Sequence, residues 1–353
     1  LPDEHLPEAA EAEHLTEVLR RSGMLGGARV RDVAVESSRP TILSRIIRLR
    51  LTYEGAAAEA PRSIILKTGL SERSDKAWNS GRQEVAFYTD VAPVMPAGLL
   101  PLHFDAHWDA VSNAWHLLLE DLTDSHVLPT RWPLPPTHAQ CESIMDARAR
   151  LHAAWWDDPR LGASLGTRLD EAGIDRIVQD FMRAFAKFAD RVGDCLSTER
   201  RALYERWPAA APHLVARYQP HRNLTIVHGD AHVWNVFMPR DGGDDVRLFD
   251  WDTWRIGMAA TDLSYMMAMH WYPDRRCLME RSMLDRYHAT LLAHGVRDYS
   301  RQALDDDYRL ALLWQIALPV WQAAHDIPPV IWWNNMERVL LAFDDLGCRE
   351  LLR

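Results

Sequence analysis

The run TIVHGDAHVWNVF, residues 225 to 237, places His228, Asp230, His232 and Asn235 between apolar segments. Two chemistries are open to it. His228, Asp230 and His232 alternate as metal ligands often do, which would suit a hydrolase that assembles two metals from several such motifs. Asp230 and Asn235 are also spaced as a catalytic base and a magnesium ligand. Asp250 ends the run DVRLFD and would return beside Asn235 if the two segments formed a hairpin. Two oxygen donors would then face one point, as Mg2+ with phosphates requires, because that ion keeps few protein ligands. Asp230 would stand close by, placed to accept a hydrogen bond from an incoming hydroxyl.

Lys67 helps to choose between them. It ends the apolar run SIILK, where an ammonium is costly unless it reaches an anion. Glu84, in the helix-patterned segment that follows, is a natural partner. Lys67, Glu84, Asp230, Asn235 and Asp250 together make a set of parts for phosphoryl transfer from ATP. The hydrolase would need an upstream DxH near a strand end and further histidines. HFDAHWD, residues 103 to 109, is the other cluster, and it has no companion GNH element. Nor would that enzyme use the Lys67/Glu84 pair.

Elements of two kinds must hold these residues. Residues 8 to 22 repeat apolar side chains at helical spacing and stop at Gly23. RVRDVAVES, SRIIRLRLTY and RSIILKTG then alternate as strands, with VESSRPTIL expected to contain the loop between the first two. Helical spacing returns over 78 to 92, and strands over 101 to 108 and 114 to 120. The proline-rich TDSHVLPTRWPLPPT reads as a connection. Beyond it, helical patterns cover 137 to 157, 174 to 192, 198 to 218, 260 to 271, 276 to 293, 301 to 325 and 330 to 346. RDGGD marks a tight turn in the strand segment between 224 and 250. The expected organisation is a sheet-rich lobe over 1–121 that ends in a hinge, then a helical lobe over 122–353.

Bulk properties narrow the partners. Acidic residues number 50 against 40 Lys and Arg, a net charge of −10, which argues against a nucleic-acid partner. The four cysteines are scattered and suggest a reducing cytoplasm without a disulfide framework. The acidic start LPDEHLPEAAEAEH lacks the pattern of a signal peptide. LALLWQIALPVW, the most apolar window, is short and holds Gln315 and Pro319, so a buried helix and no membrane span is expected.

HGDAHVWN together with LFDWDTWRIGMAATDLS resembles the catalytic motifs of the aminoglycoside phosphotransferase and choline kinase-like families, the small-molecule branch of the protein-kinase-like fold. SRIIRLRLTYEG, IILKTG and EVAFY look closest to its ecdysteroid kinase-like subgroup. The resemblance implies an α+β, protein-kinase-like bilobal fold, with an N-terminal antiparallel sheet and helix and a mostly helical C-terminal lobe. It implies ATP and Mg2+ as cofactors and a small-molecule hydroxyl as acceptor. Carried over by position, Asp230 would be the catalytic aspartate and Asn235 and Asp250 the magnesium ligands. Lys67, oriented by Glu84, would meet the phosphates, and backbone groups from Glu120 to Leu122 the adenine. His228 and Asp262 would brace the catalytic loop, and His232 would be a loop residue dispensable for magnesium.

One departure stands out. The loop expected over the phosphates contains no glycine, so Ser37, Ser38 and Thr41 would have to supply hydroxyl donors instead. That leaves a non-catalytic nucleotide-binding relative as a rival, beside the metal hydrolase. The chain is rich in tryptophan, with 15. Trp155/Trp156 and Trp332/Trp333 are adjacent pairs whose members cannot share one helix face. Among the aromatic and polar residues of the helical lobe, His270, Trp271, Asp326 and Trp333 are candidates for the acceptor pocket. The acceptor itself and the oligomeric state are not legible.

Overall fold

A computed structural model describes residues 7–70, 80–325 and 327–352. The chain divides into two compact units: Leu1–Leu128 with Phe237–Thr253, and Pro129–Val236 with Trp254–Arg353.

The first unit is built on a five-stranded antiparallel sheet. Its strands are β1 (Arg29–Pro40), β2 (Ser44–Glu54), β3 (Ser63–Gly69), β4 (His103–Trp108) and β5 (Trp115–Glu120), in the order β1-β2-β3-β5-β4. Alternation sends Leu49, Leu51, Ile64, Leu66 and Leu118 into one core. The apolar stripe of helix α1 (Ala12–Arg21), formed by Leu15, Val18 and Leu19, packs into the same core. β1 differs from expectation. The stretch read as loop continues the strand as far as Pro40, with register shifts at Val30/Asp32 and Val35/Ser37, and the turn is confined to residues 41 to 43. The bulges let a polar stretch of poor strand propensity keep pairing. Helix α2 (Ser80–Ala86) is short and passes into a wider turn over Phe87–Val91. Positions 78 and 79 of the expected helix lie outside the described residues. A small sheet of β6 (His126–Val127), β8 (Val236–Pro239) and β9 (Arg247–Leu248) completes the unit.

The second unit is mostly helical: α3 (His138–Ala154), α4 (Glu171–Val192), α5 (Thr198–Glu205), α6 (Ala211–Tyr218), α7 (Ala260–Met267), α8 (Pro273–Ala293), α9 (Arg301–Ala324) and α10 (Pro329–Asp345). The segment 198 to 218 is not one helix. Pro208 has no amide to continue the ladder, so α5 ends, a 3-10 turn follows over Trp207–Ala210, and α6 restarts with Pro212 in its first turn. One two-stranded ribbon, β7 (Thr225–Val227) with β10 (Arg255–Gly257), lies among the helices. LALLWQIALPVW falls inside α9, and among the described residues no helix is long and apolar enough to cross a membrane. An antiparallel sheet followed by a mostly helical part makes the class α+β.

Candidate active site

In the sheet unit, β3 turns Ile64 and Leu66 into the core and Lys67 to the opposite side. Lys67 is 8% exposed, and Nζ lies 2.8 Å from Glu84 Oε1, 2.6 Å from Oε2 and 2.5 Å from Asp250 Oδ1. Burial alone would favour the neutral amine, but Asp250 and Glu84 outweigh it and hold the ammonium protonated. Burial raises the Glu84 carboxyl, while Lys67 pulls it down. The backbone around Asp250 is shaped for this contact. Asp250 lies just past β9 with φ +69°, a left-handed conformation that aspartate tolerates better than most residues. Trp251 stacks flat on Phe87 at 3.9 Å between ring centroids, tying the same segment to the turn after α2.

Gly81 sets how closely α2 approaches the sheet. A Cβ there would come within 2.1 Å of the buried Trp115 ring, so any side chain must displace α2 or the indole. Gly81→Ala is therefore expected to destabilise the unit by about 1–3 kcal/mol and to loosen the Lys67/Glu84 contact. Thermal unfolding of the variant checks this.

The segment Glu120 to Leu122, whose backbone is expected to meet the adenine, is bonded at both ends. The Glu120 amide donates to the Leu102 carbonyl (2.8 Å), and the Leu122 carbonyl accepts from the His126 amide (2.8 Å). Asp121 accepts from Arg48 (2.5 Å) and Ser63 (2.6 Å). Ser38 is exposed on β1, paired with Ile47, and not in the turn. The Thr41 hydroxyl is engaged inside the turn with Ser44.

In the helical unit, the loop after β7 carries Asp230, and Asn235 closes the 3-10 turn Val233–Asn235. Asp230 Oδ1 accepts from the Tyr265 hydroxyl at 2.5 Å. Its Oδ2 accepts from Asn235 Nδ2 at 3.0 Å and lies 3.3 Å from His232 Nε2. Burial opposes ionisation, but His232 and Tyr265 hold the Asp230 carboxyl far below the usual carboxylate range. The side chain remains 30% exposed, so an incoming group can reach it.

Asp262 supports that loop from α7. It does not cap its own helix. It accepts from the amides of His228 (2.8 Å) and Gly229 (3.0 Å), and it stands 3.3 Å from His152 and 3.6 Å from Arg148, both on α3. Arg148 also donates to the Ala231 carbonyl at 2.7 Å. Asp262, Arg148, His152 and His228 are all fully buried. Despite burial, His152 and Arg148 hold the Asp262 carboxyl well below its ordinary value. Asp262→Asn should cost about 3 kcal/mol, because it leaves Arg148 buried without its charge partner. A depressed carboxyl contributes stability above its unfolded value and loses it on acidification. The gap in melting temperature between wild type and variant should thus be full at neutral pH and shrink below about pH 4.

The rings of His232, Trp234, Tyr265 and His270 pack together beside Asp230, with centroids 5.0–6.4 Å apart. His270 Nδ1 donates to the Tyr265 carbonyl at 2.8 Å, and burial and His232 lower its pKa to about 3. It is a neutral ring at pH 7. Trp271 is 2% exposed, with Arg275 over its ring, and Trp333 packs edge-on against Trp332. Asp326 lies outside the described residues.

Tyr265 is not among the residues expected at the site, and His232 contacts Asp230 directly. The register of α7 held a signal for the tyrosine. Asp262 and Tyr265 are three apart on one helix, so if the first braces the loop the second faces it too. Among the described residues, His228, Asp230 and His232 do not converge as a metal-ligand group.

A sheet with a buried lysine–glutamate pair and a helical unit with an aspartate–asparagine loop are the two parts of a kinase-like fold, and solved structures similar to this chain have that fold. A choline kinase from Cryptosporidium parvum superposes with a TM-score of 0.56 at 11% identity, covering 97% of this chain and 98% of that one. An ethanolamine kinase from Plasmodium vivax gives 0.54 at 10%, over 98% and 91%. The GDP complex of an aminoglycoside 2′-phosphotransferase variant gives 0.53 at 10%, over 96% and 98%. No curated protein sequence matches the chain significantly. The ecdysteroid kinase-like family matches residues 41–297, and the chain belongs to that family. Its family and fold are those of small-molecule kinase-like phosphotransferases.

Proposed function

We propose that this protein is an ATP- and Mg2+-dependent phosphotransferase that phosphorylates a hydroxyl of a small molecule. The buried Lys67 cation carries this reading. Two carboxylates, Glu84 and Asp250, come from distant parts of the chain to hold it. A buried ion pair contributes little net stability compared with apolar packing, so fold stability does not explain it. A cation poised for phosphate oxygens does. We assign the nucleotide to the N-terminal lobe, 1–121, and the acceptor to the helical lobe, 122–353.

Asn235 and Asp250 suit Mg2+ by donor chemistry. Both offer hard oxygens. The Asn235 amide nitrogen faces Asp230, which leaves its oxygen as the free acceptor, and the Asp250 side chain is 37% exposed. When bound, the ion neutralises charge on the phosphates. Lys67 would contact the α- and β-phosphates while Glu84 fixes its direction. The Asp230 carboxyl, held well below the usual carboxylate range, stands ionised as a proton acceptor. Its role is to accept a hydrogen bond from the acceptor hydroxyl, aim the oxygen at phosphorus, and take the proton late in transfer. Tyr265 and Asn235 fix the carboxylate for that task. Tyr265→Phe keeps the ring and loses one hydrogen bond to a charged group. It is expected to lower kcat roughly tenfold, with little change in nucleotide affinity.

The test is to supply purified protein with ATP, Mg2+ and a panel of alcohols, amino alcohols, aminoglycosides and sterols. ADP release that depends on one acceptor supports the reading. The second reading is a non-catalytic nucleotide binder, favoured by the glycine-free β1–β2 turn. It predicts that ATP binds and that no member of the panel promotes turnover.

A further inference from the structure

A second cluster lies in the sheet unit, around the HFDAHWD stretch that the phosphotransfer reading leaves unused. Asp105 on β4 is joined there by His116 on β5 and His14 on α1. Pairing of His107 with His116 across the two strands brings Asp105, two residues back, to the same face. His116 Nε2 lies 2.9 Å and His14 Nε2 3.1 Å from one oxygen, Asp105 Oδ2. One ligand atom from each of the three residues lies within 4.8 Å of the others. The two imidazoles meet edge to face, with centroids 5.7 Å apart and planes at 88°, so their nitrogens converge instead of stacking. Burial opposes ionisation of Asp105, yet His116 and His14 outweigh it and keep the carboxyl below its usual value.

We propose that His14, Asp105 and His116 form a binding site for a zinc-class divalent ion. Imidazole and carboxylate donors about 2.0–2.2 Å from zinc would stand roughly 3.3 Å apart in a tetrahedron, close to the two nitrogen–oxygen spacings found here. Such a donor set suits zinc, nickel or copper better than magnesium. The three side chains are 15–27% exposed, which leaves an entry path from solvent. Arg21 reaches the other carboxylate oxygen, Oδ1, at 3.5 Å and would orient it from outside the ligand set. The ion would pin α1 to the β4–β5 edge and stabilise the folded chain by mass action.

The test titrates the full chain with Zn2+ by calorimetry and follows thermal unfolding. One equivalent should bind and raise the melting temperature. His14→Ala and His116→Ala should each weaken binding at least about tenfold while leaving phosphoryl transfer unchanged. The unmodified chain should also give visible d–d absorption with Co2+, a readout that does not depend on the variants folding. Failure of the unmodified chain to bind Zn2+, or binding that persists unchanged in both variants, overturns the proposal.

Discussion

Asp230→Asn is expected to lower phosphoryl transfer by roughly a hundredfold to ten-thousandfold, the range for loss of a positioned proton acceptor. The substitution is nearly isosteric and keeps an oxygen to accept from Tyr265. What it removes is the charge that His232 and Tyr265 maintain. Because the loss falls on the reacting hydroxyl, kcat should fall while the affinity for Mg2+ and ATP stays close to wild type. A parallel rise in nucleotide Kd would place Asp230 in nucleotide binding instead. The split between kcat and nucleotide Kd, measured by steady-state kinetics and calorimetry, decides.

Lys67→Met has the other large effect, and it acts on two quantities. The methionine retains the apolar stem but abandons Glu84, which is 1% exposed. Breaking a buried pair by removing one partner costs about 3–5 kcal/mol, so the melting temperature should drop sharply. Activity should fall by about two to three orders of magnitude, because a charge that stabilises the transition state is lost. The double variant Lys67→Met/Glu84→Gln separates the two effects. It removes the orphaned carboxylate, so stability should recover substantially, while phosphoryl transfer should not. If activity returns with stability, Lys67 serves only the fold.

Legibility in the sequence varied with the range of the interaction. Strands β2 and β3 were readable because alternation and one buried face leave a local signature in Leu49, Leu51, Ile64 and Leu66. The meeting of Lys67 with Glu84 followed from the cost of burying an ammonium, which demands a nearby anion. Asp250 as its second partner did not follow. That contact depends on a left-handed residue just past β9 and on the Phe87–Trp251 stack, neither of which has a periodic signal. The continuation of β1 to Pro40 was hidden for a related reason. Ser37, Ser38 and Pro40 pair in register with Arg48, Ile47 and Arg45, although propensity alone assigns them to a loop. The Asp230 surroundings were half readable: Asn235 lies in the same motif, whereas Tyr265 arrives from a helix 35 residues away.

The γ-phosphoryl group of ATP is expected to pass to an acceptor oxygen beside Asp230. Following a γ-labelled ATP tests it most directly, with Mg2+, the acceptor panel, and wild-type protein against Asp230→Asn. Label is expected in an organic phosphomonoester with the wild type and almost none with the variant. Label recovered only as inorganic phosphate, at equal rates in both proteins, would contradict it.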